Sequence, residues 1–149
     1  MNEQYEKSLS KLELDKVLSL LADHASSQAA KDRCMAIRPS ADADEIRHLL
    51  EETSAACKCI TIKGSPSFGG LYDVGASLDR AYRGGCLSPE ELLRIAGVLR
   101  AARQAKSYAE GEGVQEASVL DLYFQQITSN KYLEERIFNS ILSKDEIAD

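Results

Sequence analysis

The chain has no tryptophan, and aromatic residues make up only 6% of its 149 positions. Prolines number three and glycines nine. A protein built from many short strands needs turn residues at close and regular spacing, so this scarcity of breakers argues for helices. No apolar run reaches the ~18 residues that would read as a membrane-spanning helix. The opening MNEQYEKSLSKLELDK is polar and acidic, without the apolar core of a signal peptide. Basic excess is lacking too: 18 Lys and Arg face 24 Asp and Glu, for a net charge of −6. A free-standing nucleic-acid binder usually shows the opposite balance. The four cysteines, Cys34, Cys57, Cys59 and Cys86, have no secretory context and read as reduced cytosolic thiols. The expected location is cytoplasmic, with no membrane partner.

What is present suits one ordinary globular domain. Hydrophobic residues are 44% and charged residues 28% of the chain, near the soluble average. A chain of this length hides roughly 70% of the surface its unfolded form exposes. Residues 1–10 are expected to be a disordered start. Ser10-Lys11-Leu12-Glu13 has the form of a capping box, and Leu14, Val17, Leu18 and Leu21 line one helical face behind it. That helix is predicted from about 11 to 25. Ser26 or Ser27 caps a second, which must end before Arg38-Pro39. Asp42 or Asp44 caps a third, with Ile46, Leu49, Leu50, Thr53, Cys57 and Ile60 as its apolar face. After a glycine-rich loop at 64–70, Leu71, Val74, Leu78, Ala81 and Tyr82 share one side of a short helix that Gly84-Gly85 ends.

Ser88-Pro89-Glu90-Glu91 is the strongest local signal: an N-cap, a proline suited to the first turn, and the acid that closes the box. The helix behind it carries Leu92, Ile95, Ala96, Leu99 and Ala102 and runs to about Tyr108. Two more helices are read around Leu120/Tyr123/Phe124/Ile127 and Leu133/Ile137/Ile141, and no closing element follows. The expected fold is all-α, a bundle of about seven helices with short connections.

No constellation here reads as catalytic. Cys57-x-Cys59 is not the spacing of structural zinc sites. Cys57 fits better as a small hydrophobe. His24 and His48 stand alone. Asp42, Asp44 and Glu45 are explained as cap and first-turn acids, and Glu51-Glu52 as a solvated face. The loop at 64–70 lacks the phosphate-binding pattern, and G-x-G-x-x-G is missing throughout. Neither metal nor cofactor is expected within these residues. One stretch, 92–109, holds Arg94, Arg100, Arg103 and Lys106 and no acid. These four are the candidates for a nucleic-acid or interdomain contact. At 100° per residue they do not form one stripe, and Arg103 and Lys106 continue the line of Leu92 and Leu99. Packing, or salt bridges to acidic neighbours such as a missing part of the protein would supply, is therefore favoured over phosphate contact.

Several segments in order resemble a known family. They are Leu12-Glu13-Leu14-Asp15-Lys16-Val17-Leu18, Arg38-Pro39-Ser40, Leu50-Glu51-Glu52-Thr53-Ser54, Gly69-Gly70-Leu71-Tyr72-Asp73, Leu78-Asp79-Arg80-Ala81, Gly85-Cys86-Leu87-Ser88-Pro89-Glu90-Glu91-Leu92 and Leu99-Arg100-Ala101-Ala102-Arg103. The set is similar to the N-terminal region of the second-type bacterial MutS paralogues, which carry a C-terminal Smr nuclease domain. The resemblance covers about residues 11–149. It implies a helical core and lever fragment of a larger protein with a clamp, a dimerising ATPase that uses ATP and Mg, and an endonuclease domain. It also implies DNA binding with suppression of recombination, DNA repair-related roles, and rescue of stalled ribosomes through rRNA. The phosphate loop and nuclease motif of that family would fall beyond residue 149, so no catalytic residue is carried onto this chain. The expected role is mechanical: to link the clamp, which holds DNA or a ribosome, to the ATPase in a homodimeric parent. A free-standing helical module that binds a protein partner is the alternative, and a small helical enzyme is the weakest reading.

Overall fold

The computed structural model describes residues 11–111, 117–143 and 146–147. Residues 1–10, expected to be disordered, lie outside that range, as does Ser10 of the first capping box. The chain divides into two compact units, Met1–Pro39 and Ser40–Asp149.

The first unit is a helical pair, α1 (Leu14–Asp23) and α2 (Gln28–Ala36). Helix α1 starts later than its apolar period suggests. Glu13 takes a left-handed backbone, φ 55° and ψ 32°, and stands just ahead of the helix instead of inside its first turn. That conformation costs an L-residue about 1–2 kcal/mol, and the Glu13 carboxylate meets Lys16 Nζ at 2.5 Å. Leu18 and Ala22 are buried in this unit, whereas Val17 and Leu21 of the predicted face are exposed. Ser27 caps α2 by accepting from Ala30 N at 3.2 Å. Ile37 is extended, which ends the helix two residues before Pro39, and Arg38 covers two carbonyls at the helix end, those of Met35 and Ile37.

The second unit holds α3 (Ala43–Lys63), α4 (Gly75–Tyr82), α5 (Pro89–Glu110), α6 (Asp121–Gln125) and α7 (Lys131–Ser140). The fold is all-α, with seven α-helices among the described residues. Asp42 is the cap of α3, its carboxylate accepting from Asp44 N and Glu45 N at 2.9 and 3.1 Å. Gly64 ends α3 at φ 77°, where an L side chain would be strained. At Ser88 the whole capping box forms: Ser88 Oγ accepts from Glu91 N at 3.3 Å, and Glu91 accepts from Ser88 N at 2.9 Å.

The core lies between α5 and α7. Ala96, Ile137 and Ile141 are buried together, flanked by Leu92, Leu93, Ile95 and Phe138. The loop before α4 crosses α5 backbone to backbone. A side chain on Gly97 would meet Gly70 O at 3.2 Å and the Tyr72 ring at 3.3 Å, so this crossing needs glycine on α5.

Two expectations about packing and termination change. The last helix stops at Ser140, not beyond Ile141. Ile141 begins a strand, Ile141–Ser143, that pairs antiparallel with Glu146–Ile147. Ile141 keeps its place in the core while leaving the helix, since an extended residue after the last turn can still point its side chain at α5. The predicted apolar face of α3 is not the face that packs. Glu52, Ala55, Ala56, Cys59 and Lys63 are half-buried, and Ile46, Leu49, Leu50 and Ile60 are exposed. Cys57, expected on that apolar face as a small hydrophobe, is exposed with it.

Candidate functional site

Arg94, Arg100, Arg103 and Lys106 all lie on helix α5. Its spacing puts Arg100 and Arg103 on neighbouring positions of one side, three residues apart. Facing them is Glu134, on the first turns of α7. Asn130 starts that helix by accepting from Leu133 N at 3.0 Å. Glu134 is then three residues from Ile137 and seven from Ile141, on the buried face.

Glu134 is 3% exposed, the one buried charged residue among those described. A carboxylate out of water must be paired and hydrogen-bonded to be tolerated. Arg103 grips it with both sides of its fork, Nε to Oε2 and Nη2 to Oε1, each at 2.8 Å. Arg100 Nε adds a third bond to Oε1 at 3.3 Å. This forked geometry is what guanidinium does best with a carboxylate. Arg100 also lays its guanidinium 3.9 Å over the Phe138 ring. The bonds from Arg103, aided by Arg100, hold the Glu134 carboxyl below its ordinary value despite burial. The same contact raises Arg103. The arrangement fastens α7 to α5 by charge at one level and by Ala96, Ile137 and Ile141 at the next.

The other two candidates stand apart. Arg94 pairs with Glu90 one turn back, at 2.8 Å and well exposed. Lys106 is half-buried beside a shallow groove of about 260 Å³ shared with Glu110, Asp121 and Phe124. The four therefore do not converge. Glu134 is the residue that sequence reasoning missed. Its signal was an acid in register with Ile137, in a chain whose acid-free stretch 92–109 carries arginines on a partly buried side.

A second charged hub joins α4 to α5. Glu91 accepts from Ser77 Oγ at 2.9 Å and pairs with Arg80 while closing the Ser88 box. The Ser88 N–H, then Ser77 and Arg80, draw its carboxyl down to about 2. At the far end of α5, Lys63 Nζ donates to the carbonyls of Tyr108 and Ala109 at 3.1 and 2.9 Å, and Tyr108 Oη donates to Gly64 O at 2.8 Å. Here the ends of α3 and α5 satisfy each other's last-turn carbonyls. Tyr123 of α6 donates to Glu52 of α3, which lifts the Tyr123 hydroxyl above its ordinary value.

None of this is an acid–base or nucleophile arrangement. His48, itself exposed, meets the half-buried Glu52 at 3.1 Å, and His24 is an exposed residue just after α1. Asp44 pairs with Arg47, and Glu45 accepts from Ser40. Among the described residues the four cysteines are free, and no three His, Cys, Asp or Glu side chains converge as metal ligands would. No helix among them is long and apolar enough to cross a membrane.

The geometry is that of a braced helical scaffold, and its relatives give it a place. No protein-family model matches the chain. A protein named Endonuclease MutS2 from Ruminiclostridium cellulolyticum is 41% identical over 145 residues, 97% of this chain and 18% of that protein. The Endonuclease MutS2 of Acetivibrio thermocellus is 39% identical over 146 residues, with the same coverage of 97% and 18%. One from Clostridium botulinum is 39% identical over 145 residues, again with coverage of 97% and 18%. Identity at this level along nearly the whole chain makes it a helical part of a MutS-related protein. Within that class the chain belongs to the MutS2 family, as an N-terminal region. It spans 18% of the length of the curated relatives it matches.

Proposed function

We propose that this region is a non-catalytic coupling element of a cytoplasmic MutS2-type ATPase and endonuclease. It transmits movement between the ATPase and the clamp that holds DNA or a stalled ribosome. The parent would be a homodimer using ATP and Mg, active in suppression of recombination, DNA repair and ribosome rescue. The observation that carries the reading is the Glu134 brace. Helix α5 has 22 residues, so it is ~33 Å long at 1.5 Å per residue. An element that passes on a displacement must move as a unit. A buried carboxylate under two arginines keeps α7 in one register on α5. The same bonds engage the arginines that a nucleic-acid surface would otherwise present. The relatives' printed name, endonuclease, supports an enzymatic parent.

The test is Glu134→Gln in the full-length MutS2-type protein. The amide keeps the shape and removes the charge that both arginines grip. The expected result is basal ATP hydrolysis that persists while its stimulation by nucleic acid or ribosomes falls several-fold. A folded variant whose stimulation equals that of the parent would sink the coupling role.

A further inference from the structure

Helix α3 has two faces, roughly 110° apart at 100° per residue. One, through Glu52, Ala55, Cys59 and Lys63, turns toward the 117–119 segment, the end of α5 and Tyr123 of α6. The other holds Ile46, Leu49, Leu50, Thr53, Cys57 and Ile60, and it is open. Leu49 is 50%, Leu50 61% and Ile60 45% exposed, and the Cys57 thiol is exposed with them. Scattered apolar residues on a surface need no explanation, but a continuous stripe does. This one recurs at the spacing of a helix over 15 positions, ~21 Å of axis. A core-facing period has been kept where no core meets it.

We propose that the open stripe of α3 seats one amphipathic helix supplied by the rest of a MutS2-type polypeptide. This rests on the reading that the region works inside such a protein. The length of the relatives argues for that source. They match this chain along 97% of its residues, yet the chain makes up only 18% of them. The four-fifths outside the match are the nearest polypeptide at hand, and being covalently joined they are present at high effective concentration. The arriving helix should carry Leu, Ile or Val at i, i+3/i+4 and i+7.

Cys57 is a reporter already in place. Labelling with a maleimide, read residue by residue by mass spectrometry, is compared between the 149-residue chain and the full-length protein that contains it. In the short chain Cys57 should label freely and independently of concentration. In the long one its labelling should slow at least roughly tenfold, as a docked thiol requires. Leu50→Glu should restore labelling there and leave the thermal midpoint of the short chain unchanged, since Leu50 touches no core. Equal rates in both proteins would overturn the proposal. So would protection that grows with concentration in the short chain alongside a dimer in sedimentation, which would make the occupant a second copy. Protection in the long protein together with intact stimulation in Glu134→Gln would leave the docking standing and remove the coupling role.

Discussion

Ile137 joins α7 to the middle of α5, and truncating it measures the core between them. The side chain is 8% exposed and packs in one cluster with Ala96 and Ile141. Ile137→Ala removes three carbons, worth about 2.5 kcal/mol at ~0.8 kcal/mol per buried carbon. A sealed void would add to this, up to the ~5 kcal/mol seen for the largest truncations. Here the addition is small. A groove of about 310 Å³, lined by Leu92, Leu133, Ile137 and Ile141 among others, already opens beside the site, so the gap joins solvent-accessible space. The expected loss is ~2–3 kcal/mol, a fall in thermal midpoint of about 10 °C for a domain of this size. Ile137→Val should lose only ~1 kcal/mol. Urea and thermal unfolding followed by circular dichroism at the helix band measure both. A loss below ~1 kcal/mol for Ile137→Ala would mean that α7 does not pack on α5 as described.

Ser88→Ala should weaken the domain by about 1 kcal/mol, the usual N-cap loss, and an unchanged denaturation midpoint would contradict the Ser88–Glu91 box. Glu91, with its folded-state carboxyl at about 2 against an ordinary 4.5, contributes stability that is complete above the unfolded value and lost as pH falls from about 4.5 toward 2. Glu134, lowered by Arg103 and Arg100, acts in the same direction. The midpoint of the wild-type chain should therefore drop on acidification through that window, and Glu91→Gln should flatten the slope; an unaltered slope counts against the Ser77–Arg80–Glu91 hub. Gly97→Ala should fail to deliver the ~1 kcal/mol that alanine normally gains over glycine within a helix, because the new Cβ would crowd Gly70 O and Tyr72. A full gain in a thermal melt would show that the loop does not cross there.

What the sequence revealed and what it hid divide by range. Caps are local, so Ser27, Asp42 and Ser88 could be found from the three residues that follow each. Helix ends at Pro39, Gly64 and Gly84 were equally local, being set by steric limits on single residues. The period of α3 correctly marked a helix but pointed to the wrong packed side. Periodicity says that a face is apolar, not whether a neighbour covers it, and the half-buried side here carries Ala55, Ala56 and Cys59. Glu134 was hidden because its meaning depends on Arg103, 31 residues away. The spacing of Ile141 from Ile137 suits a helix, but its backbone pairing with Ile147 is a tertiary choice. The angles of the four basic residues of α5 spread around the helix, which points to packing or salt bridges. The acidic partner of Arg100 and Arg103 in this structure lies within the chain.

The central claim is that Arg100 and Arg103 belong to the internal brace of a coupling element and do not form a nucleic-acid surface. The direct measurement is a titration of the 149-residue chain with duplex DNA, branched DNA and rRNA at two salt concentrations. A net charge of −6 and engaged arginines predict weak binding that falls steeply with added salt. Tight binding that resists salt, and that Arg100→Ala or Arg103→Ala abolishes while the fold survives, would contradict the account and turn α5 into a recognition helix.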